Sequence, residues 1–395
     1  MATNFDLHLN LWRDLLLLLA TGPLFYYLGT MVATVRFFRR ESARKVPEFT
    51  PPVSMLKPVR GVDDDAYANF ASFCRIDYPC YEILFAVADA DDPVLPLLGR
   101  LRHEFTSSDI RVVTDVPQIG SNRKLNNLAK LAKEAKHDVL VISDSDVRVA
   151  PDYLREVTAC FSDPQVGLVT AFFRGVTRGS LGAELEALVL ATETVPNALV
   201  AREIEGKVQF AFGWTMATTK KHLSSIGGFE AMVNVHSDDF ELGNRIAARG
   251  LKIELLDRPV EMIFAPESFA DFLRHELRWA IGLKNVRPLG YVGLLFTFGF
   301  PWTVAAMLLA PNALWAAVYA IAYLTLRTGQ VWLTGAWGLN DRVTRRSWWL
   351  TPFRDAVNFL VWLTGFFSNK IVWRGVSYRV RKGKLEPAGG AAAKP

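Results

Sequence analysis

Short apolar runs alternate with amphipathic windows between residues 50 and 288. The runs are rich in β-branched residues, which is typical of strands buried in a parallel sheet. Strands that alternate with helices imply right-handed crossover connections. The pattern therefore predicts an α/β domain with a mostly parallel sheet. The predicted strands are 53–59, 83–88, 110–114 and 138–143, and the predicted helices between them are 66–75 and 94–105.

A long uncharged segment precedes this domain. Residues 15–35 carry no charge and are long enough to cross a bilayer core of about 30 Å. We predict a signal anchor and not a cleaved signal peptide, because the apolar core exceeds the usual length of about 7 to 15 residues. The basic cluster that follows predicts that the chain after residue 40 lies on the cytoplasmic side. This cluster comprises Arg36, Arg39, Arg40, Arg44 and Lys45.

Two more apolar stretches follow the domain. The stretch 289–326 is too long for one crossing and is interrupted at Pro311-Asn312, which predicts helices at 290–310 and 313–333 joined by a tight turn. The stretch 356–372 has two interpretations. A fourth span would leave the following basic residues outside, against the charge rule, so an interfacial or re-entrant segment is the alternative. The final residues 387–395 predict a disordered end.

Composition and charge agree with a membrane protein. The chain of 395 residues is 50% hydrophobic, with a mean hydropathy of +0.15, which is high for a purely soluble protein. The net charge of +5 comes with basic residues beside apolar segments, so we expect anionic lipid headgroups as partners and no nucleic acid. Cys74, Cys80 and Cys160 have no zinc-site spacing and are expected to be reduced thiols.

Acidic clusters follow two of the predicted strands. Asp89, Asp91 and Asp92 come after the second strand, and Asp144-Ser-Asp146 comes after the fourth. Ligands collect at the carboxyl ends of strands in such sheets, and carboxylates there suit Mg²⁺ or Mn²⁺ carrying phosphates. Asp144 and Asp146 are alternate residues, so both can face one ion. The alternative for this motif is an Asx-turn leading into a helix.

Three further motifs carry candidate chemistry. Lys124, in a helix start rich in Gly, Ser and Asn, either cradles an anionic ligand or is a solvated lysine on a capped helix. In Asp238-Asp239 the first acid is expected to cap a helix, and Asp239 is a candidate general base for an acceptor hydroxyl. Arg278-Trp279 is either a membrane-interface anchor or a diphosphate-neutralising arginine beside a sugar-stacking indole.

The order of these motifs resembles the ceramide glucosyltransferase family of membrane-bound, inverting glycosyltransferases with a GT-A fold. The resemblance covers nearly the whole chain. It rests on Asp89-Ala-Asp-Asp-Pro, Asp144-Ser-Asp-Val-Arg, Ser237-Asp-Asp239 and His275-x-x-Arg-Trp. Supporting matches are Leu56-Lys-Pro-Val-Arg-Gly-Val-Asp63, Asp77-Tyr-Pro, Lys124 with Asn126-Asn-Leu, Val166-Gly-Leu-Val, Gly227-Gly-Phe and Trp373-Arg-x-x-x-Tyr378-Arg-x-Arg.

The resemblance implies a role for each motif. The donor is a UDP-sugar, with glucose expected, and the cofactor is Mg²⁺ or Mn²⁺. The resemblance implies that Asp89, Asp91 or Asp92 binds the nucleoside and that Asp144 and Asp146 bind the metal diphosphate. It places Lys124 near the nucleotide and makes Asp239 the base. It implies leaving-group and acceptor contacts for His275, Arg278 and Trp279. The implied domains are an N-terminal membrane anchor with its basic flank at 1–45, a Rossmann-like GT-A domain at 50–288, a C-terminal membrane region of two to three helices at 289–373, and a basic cytoplasmic tail at 374–395.

Two departures leave the acceptor open. His275 stands where the family has Arg or Gln, and the segment Thr192–Pro196 lacks the His-Pro pair of the animal enzymes. The motif His275-x-x-Arg-Trp followed by Val286-Arg-Pro-Leu-Gly-Tyr291 looks closer to the bacterial hopanoid branch, which transfers N-acetylglucosamine, so the lipid acceptor is ceramide or a hopanoid. The expected location is a bacterial inner membrane with a cytoplasmic catalytic domain.

Two other functions remain as alternatives. A processive polysaccharide synthase shares the acidic motifs but needs more membrane spans to form a polymer channel. A non-catalytic membrane scaffold would leave several independent motifs without a use.

Overall fold

The computed structural model describes residues 2–42, 47–373 and 376–387. Arg44, Lys45 and Arg374 of the predicted basic clusters lie outside the described residues, as does the predicted disordered end from residue 388 onward. The chain divides into two compact units. The α/β unit comprises residues 39–179, 201–266 and 370–395, and the helical unit comprises residues 1–38, 180–200 and 267–369. The predicted domain boundaries remain a prediction.

The main sheet of the α/β unit has eight strands in the order β3-β2-β1-β4-β7-β6-β8-β5. Strands β1 to β4 are parallel where they pair, β6 and β8 are parallel, and β7 and β5 are antiparallel to their neighbours. The mostly parallel α/β sheet is therefore confirmed. Its strands are β1 Val53–Val59, β2 Tyr81–Val87, β3 Asp109–Val113, β4 Val139–Ile142, β5 Val147–Arg148, β6 Val166–Thr177, β7 Met216–Thr219 and β8 Lys252–Phe264.

A second, three-stranded antiparallel sheet lies near the end of the chain. It has the order β11-β10-β9, with β9 Lys370–Trp373, β10 Val376–Arg381 and β11 Lys384–Pro387. Within β10 the side chains of Tyr378 and Val380 are buried, whereas those of Arg379 and Arg381 are exposed. This alternation is typical of a strand with one face on a core. Residues 376–387, which we predicted to belong to a basic tail, are thus mainly strands.

The helices occupy the windows between the strands and most of the helical unit. The predicted helices 66–75 and 94–105 are confirmed as α3 and α4. The helices are α1 Ala2–Leu19, α2 Gly22–Ser42, α3 Ala66–Cys74, α4 Val94–Glu104, α5 Arg123–Glu134, α6 Tyr153–Ala159, α7 Leu181–Ala187, α8 Val195–Glu205, α9 Lys220–Ser225, α10 Asp238–Ala248, α11 Phe269–Val286, α12 Pro288–Gly293, α13 Gly299–Leu309, α14 Ala313–Val331, α15 Arg342–Ser347 and α16 Thr351–Gly365.

The predicted N-terminal span lies in a helix of spanning length. Residues 10–41, which cover most of α1 and α2, are apolar and long enough to cross a membrane. The helix prediction for 290–310 is only partly right, because residues 288–296 and 299–309 form two helical segments bent by 43°. Pro301 lies in the first turn of α13 and has no N–H to continue a helix from the preceding segment.

The turn at Pro311-Asn312 is confirmed. Helix α13 ends at Leu309, and the Asn312 side chain caps α14 by accepting a hydrogen bond from the Trp315 N–H at 3.1 Å. Among the described helices, those of spanning length and composition are 10–41 and, taken as one broken span, 288–309. The prediction of two to three C-terminal spans is therefore supported only for that broken pair.

The stretch 356–372 does not form a fourth spanning helix. Helix α16 has 15 residues and ends at Gly365, and the chain becomes a strand at Lys370. A helix of that length rises about 22 Å, which is less than a bilayer core of about 30 Å. Of the two interpretations of this stretch, the full crossing is therefore wrong.

A buried ion pair joins α14 to α16 in the helical unit. The Arg327 guanidinium donates two hydrogen bonds to the Asp355 carboxylate, at 2.8 and 2.5 Å, and the Tyr323 hydroxyl donates a third at 2.8 Å. Arg327 also donates to the Thr192 carbonyl at 2.9 Å and to the Gln330 side chain at 2.7 Å. Arg327 and Asp355 are 5% and 4% exposed, so this guanidinium depends on protein partners and not on water.

We predict that Asp355→Asn lowers the free energy of unfolding by about 3 kcal/mol or more, because it leaves a buried guanidinium without its counter-charge. Chemical unfolding of the detergent-solubilised protein measures this loss. The matched control is Asp14→Asn in the exposed Arg13–Asp14 pair, where the change is expected to stay within about 1 kcal/mol. Equal effects of the two substitutions would contradict the structural role of the buried pair.

Candidate functional site

The acidic motifs lie at one edge of the main sheet. Strands β2, β1 and β4 are neighbours and parallel, so their carboxyl ends point the same way. Asp89 follows β2, whereas Asp144 and Asp146 follow β4. The structure thus brings the two predicted acidic clusters to the same sheet edge, separated by β1.

Lys124 links two of the acidic motifs. Its Nζ atom lies 2.8 Å from Asp144 Oδ1 and 3.0 Å from Asp238 Oδ2, and its side chain is only 16% exposed. Helix α5 is capped as expected, since the Asn122 side chain accepts a hydrogen bond from the Leu125 N–H at 3.2 Å. Lys124 is therefore neither solvated nor free of partners, because carboxylates of the protein surround it.

Asp239 lies beside the same cluster, at the start of α10. Its Oδ2 atom accepts a hydrogen bond from the Gly213 N–H at 3.2 Å. A Cβ atom added to Gly213 would lie 3.2 Å from both Asp144 Oδ2 and Lys124 Nζ, and 3.6 Å from Asp239 Oδ2. The missing side chain of Gly213 leaves room in the middle of the charged groups. Sequence reasoning missed this residue, because a single glycine in a loop gives no signal.

The charged groups of the cluster shift one another's pKa values. Burial, reinforced by the nearby charge of Asp238, raises the pKa of Asp239 to about 6, although Lys124 opposes this shift. Burial alone would lower the pKa of Lys124, but the carboxylates of Asp144 and Asp238 outweigh it and hold the pKa above its ordinary value. One ammonium among three carboxylates leaves a surplus of negative charge, and hard oxygen ligands in that setting fit a divalent cation.

Lys57 forms a hydrogen bond with the backbone of the Asp144-Ser-Asp146 motif. This fully buried lysine at the end of β1 donates from Nζ to the Asp144 carbonyl at 2.9 Å, and its Nζ lies 3.5 Å from the centre of the Phe73 ring. Burial lowers the pKa of Lys57 to about 7, although Asp144 and Asp146 act in the opposite direction. No local pattern explains a lysine inside a strand, whereas this contact does.

The three acids after β2 differ in their surroundings. Asp92 is buried, and its carboxylate accepts hydrogen bonds from the Gly61 N–H at 2.9 Å and the Val94 N–H at 2.9 Å. Asp89 and Asp91 are exposed, and Asp89 lies within 4 Å of two arginines, Arg60 and Arg123. Asp92 therefore positions its loop and the start of α4. The nucleoside contact remains a prediction for all three acids.

The loop before the catalytic-base candidate is held on two sides. Asn122, at the start of α5, and the β10–β11 hairpin both form hydrogen bonds with the backbone of residues 233–236. The second sheet therefore helps to fix the start of α10. The hydrogen bonds are Asn122 N–H to Val233 O at 2.7 Å, Asn122 Nδ2 to Val235 O at 2.8 Å, His236 N–H to Gly383 O at 2.9 Å and Leu385 N–H to Asn234 O at 3.0 Å.

His275, Arg278 and Trp279 belong to the helical unit. They lie on α11 at spacings that put them on one face of the helix. The His275 Nδ1 atom lies 3.3 Å from a carboxylate oxygen of Glu186 and 3.3 Å from one of Glu267. Hydrogen bonds to these two carboxylates raise the pKa of His275 to about 9. Trp279 is 39% exposed, so its indole face remains accessible.

Comparison with known proteins identifies relatives of one kind. The chain is 23% identical over 382 residues to ceramide glucosyltransferase 1 of Caenorhabditis elegans, an alignment that covers 93% of this chain and 80% of that protein. It is 31% identical over 143 residues to the ceramide glucosyltransferase of Komagataella phaffii, covering 34% of this chain and 28% of that protein.

A solved structure supports the predicted fold. The mannosyltransferase PcManGT from Pyrobaculum calidifontis, in complex with GDP-Man and Mn²⁺, matches 88% of this chain and 99% of its own, with a TM-score of 0.50 and 18% identity. The likeness concerns the fold alone and confirms the predicted α/β, GT-A-like architecture. The model of glycosyl transferase family 21 matches residues 16–386. This chain is therefore a glycosyltransferase and belongs to glycosyl transferase family 21.

Proposed function

We propose that this glycosyltransferase moves one sugar from a UDP-sugar to the hydroxyl of a membrane lipid, with inversion at the anomeric carbon. The observation that carries the proposal is the cluster of Lys124, Asp144, Asp238 and Asp239 around Gly213. The names of the relatives support glucose as the sugar and ceramide as the lipid. The apolar helix at 10–41 supports a membrane location.

The donor end of the reaction is assigned to the two acidic motifs after β2 and β4. Asp144 and Asp146 would hold Mg²⁺ or Mn²⁺, and the Mn²⁺ complex of the mannosyltransferase relative supports a divalent ion. When bound, such an ion neutralises diphosphate charge. Asp89, Asp91 and Asp92, which follow β2 at the same sheet edge, are the proposed nucleoside contacts. Lys124 supplies a fixed positive charge beside Asp144.

Asp239 is the proposed base. Its carboxylate takes the proton of the acceptor hydroxyl while that oxygen attacks the anomeric carbon and the bond to the diphosphate breaks, so that UDP leaves with the bonding electrons. A pKa raised to about 6 suits this role, because the group is ionised at neutral pH yet more basic than an ordinary aspartate. The hydrogen bond from the Gly213 N–H to Oδ2 orients the carboxylate.

The roles of the α11 residues follow from their place in the family motif. We assign neutralisation of the departing diphosphate to Arg278, since a guanidinium can pair with phosphate oxygens in a bidentate way. Trp279 is assigned to the acceptor or sugar pocket, and its 39% exposure leaves a face for stacking. His275 in place of Arg or Gln favours a second candidate function, the transfer of N-acetylglucosamine to a hopanoid.

The orientation and location of the protein are also proposed. The basic residues after the first apolar segment favour a cytoplasmic α/β unit. A bacterial inner membrane is the proposed location, in keeping with the hopanoid alternative. The polysaccharide synthase and the scaffold gain no support from the named relatives, which are ceramide glucosyltransferases.

The product decides between these functions. We expect the purified full chain, supplied with UDP-glucose or UDP-N-acetylglucosamine, Mn²⁺ and vesicles that contain ceramide or a hopanoid polyol, to form a lipid heavier by one sugar residue. Mass spectrometry of the extracted lipids identifies the sugar and the acceptor together. A polymeric product would replace the proposal with a processive synthase, and donor hydrolysis without any glycolipid would exclude a lipid hydroxyl as the acceptor.

We predict that Asp239→Asn lowers kcat by about 10²- to 10⁴-fold, because the amide cannot accept the acceptor proton. Donor affinity is expected to change little. Steady-state kinetics and calorimetric UDP binding check both expectations. The matched control is Glu241→Gln, an acid on the same helix that pairs with Arg245 at its surface, which should keep its turnover. Turnover near that of the unaltered enzyme in Asp239→Asn would remove Asp239 as the base.

We predict that Asp144→Ala and Asp146→Ala weaken UDP-sugar binding in the presence of Mn²⁺ by about 10- to 100-fold, because each removes an ion ligand. With EDTA present, the variants and the unaltered enzyme should bind the donor equally weakly. Calorimetric titration under both conditions measures the difference, with Asp152→Ala, an exposed acid paired to Arg258, as the control. Full Mn²⁺-dependent binding in both variants would dismiss this metal site.

A further inference from the structure

The helical unit contains a second group of potential metal ligands. Glu186 comes from α7, Glu267 precedes α11, and His275 lies in the second turn of α11. One ligand atom from each residue lies within 4.8 Å of the other two. The His275 Nδ1 atom is 3.3 Å from Glu186 Oε2 and 3.3 Å from Glu267 Oε2. None of these three residues is used by the proposed donor-metal site.

The two separations of 3.3 Å from His275 match the distances between neighbouring ligand atoms around a small metal ion. In tetrahedral sites with ligand bonds of about 2.0 to 2.2 Å, neighbouring ligand atoms lie about 3.4 Å apart. The ligand oxygens of Glu186 and Glu267 also lie within 4.8 Å of each other. Two carboxylates repel at that distance unless a proton or a cation lies between them. A positive charge beside the two glutamates, from a protonated His275 or from a bound cation, offsets this repulsion.

A buried oxygen of Glu267 distinguishes a bound cation from a protonated His275. The Oε1 atom of Glu267 is buried and has no hydrogen-bond partner among the described residues, and the side chain is only 10% exposed. A buried carboxylate oxygen without a partner is costly, and buried charges are normally paired or bound to metal. A cation that binds both oxygens of the Glu267 carboxylate would satisfy this atom.

The ligands are held by a rigid local scaffold. The Ser180 hydroxyl accepts hydrogen bonds from the Ala183 N–H at 3.3 Å and from the Glu267 N–H at 3.0 Å, so it joins the start of α7 to Glu267. A Cβ atom on Gly182 would lie 2.8 Å from the Glu267 carbonyl, so only glycine permits this close approach. His275 is 47% exposed by side chain, which gives an ion access from solvent.

We propose that Glu186, Glu267 and His275 bind one divalent transition-metal ion, with Zn²⁺ or Mn²⁺ as the fitting ions. One imidazole nitrogen and two carboxylate oxygens form a ligand set of the kind that zinc accepts. Three protein ligands with the exposed side of His275 facing solvent leave a fourth position for water or a hydroxyl group. The proposal does not depend on the proposed transfer reaction.

The test separates this ion from the donor ion. The full chain carrying Asp144→Ala and Asp146→Ala, purified free of metal, is titrated with Co²⁺ and followed by visible absorption, and Zn²⁺ is then used to displace the Co²⁺. We expect one equivalent of Co²⁺ to bind with a tetrahedral spectrum. Adding His275→Ala or Glu267→Gln should weaken this binding at least about 100-fold, because each removes a ligand. His103→Ala, an exposed histidine on α4, is the matched control.

A second measurement leaves Glu186, Glu267 and His275 unchanged, so it does not depend on variants that could fail to fold. In the donor-site variant, Zn²⁺ should raise the midpoint of thermal unfolding, since a ligand that binds only the folded state stabilises it. Absence of both Co²⁺ binding and Zn²⁺ stabilisation would overturn the proposal and leave His275 as an imidazolium paired with two glutamates. Binding that survives His275→Ala and Glu267→Gln unchanged would also overturn it.

Discussion

The candidate site at the sheet edge of the α/β unit depends on one ammonium group among carboxylates. Lys124 joins Asp144 at the end of β4 to Asp238 at the start of α10, although these residues are far apart in sequence. Without its charge, three acids around Gly213 would repel one another in a largely buried setting. The same ammonium keeps the surplus negative charge at a level that a divalent cation can offset. Electrostatic balance and chain geometry are therefore set by the same contact.

In the helical unit, buried arginines pair with carboxylates in a similar way. Arg327 is paired with Asp355, and fully buried Arg354 lies 3.2 Å from Glu193 and 3.4 Å from Glu276. Charged residues inside apolar helical assemblies are costly unless they are paired, and paired charges fix which helices are neighbours. The ion pairs of this unit thus link α16 to α14 and to α11.

The sequence predicted best what short segments decide by themselves. Residues 83–87 of β2 and 139–142 of β4 are continuous apolar runs with clear breaks, and the acids after them had to reach one edge once those strands were parallel. Gly213 and the contacts of Asp92 were not predictable in this way. They depend on contacts between segments that are far apart in sequence, and a local pattern does not predict such contacts. Lys124 was expected either to bind an anionic ligand or to be solvated, whereas its partners are carboxylates contributed by two other segments.

The chain after the helices rejoins the α/β unit, and this limits how the enzyme can be shortened. Gly383 and Leu385 complete the backbone hydrogen bonding of the loop that leads to Asp239, yet about a hundred residues of helical chain separate them from β8. A polypeptide cut to residues 50–288 would contain every acidic motif and still lack these partners. Its loop would have to be held by water in their place. Soluble fragments are therefore a poor substitute for the intact chain, even in studies of donor binding alone.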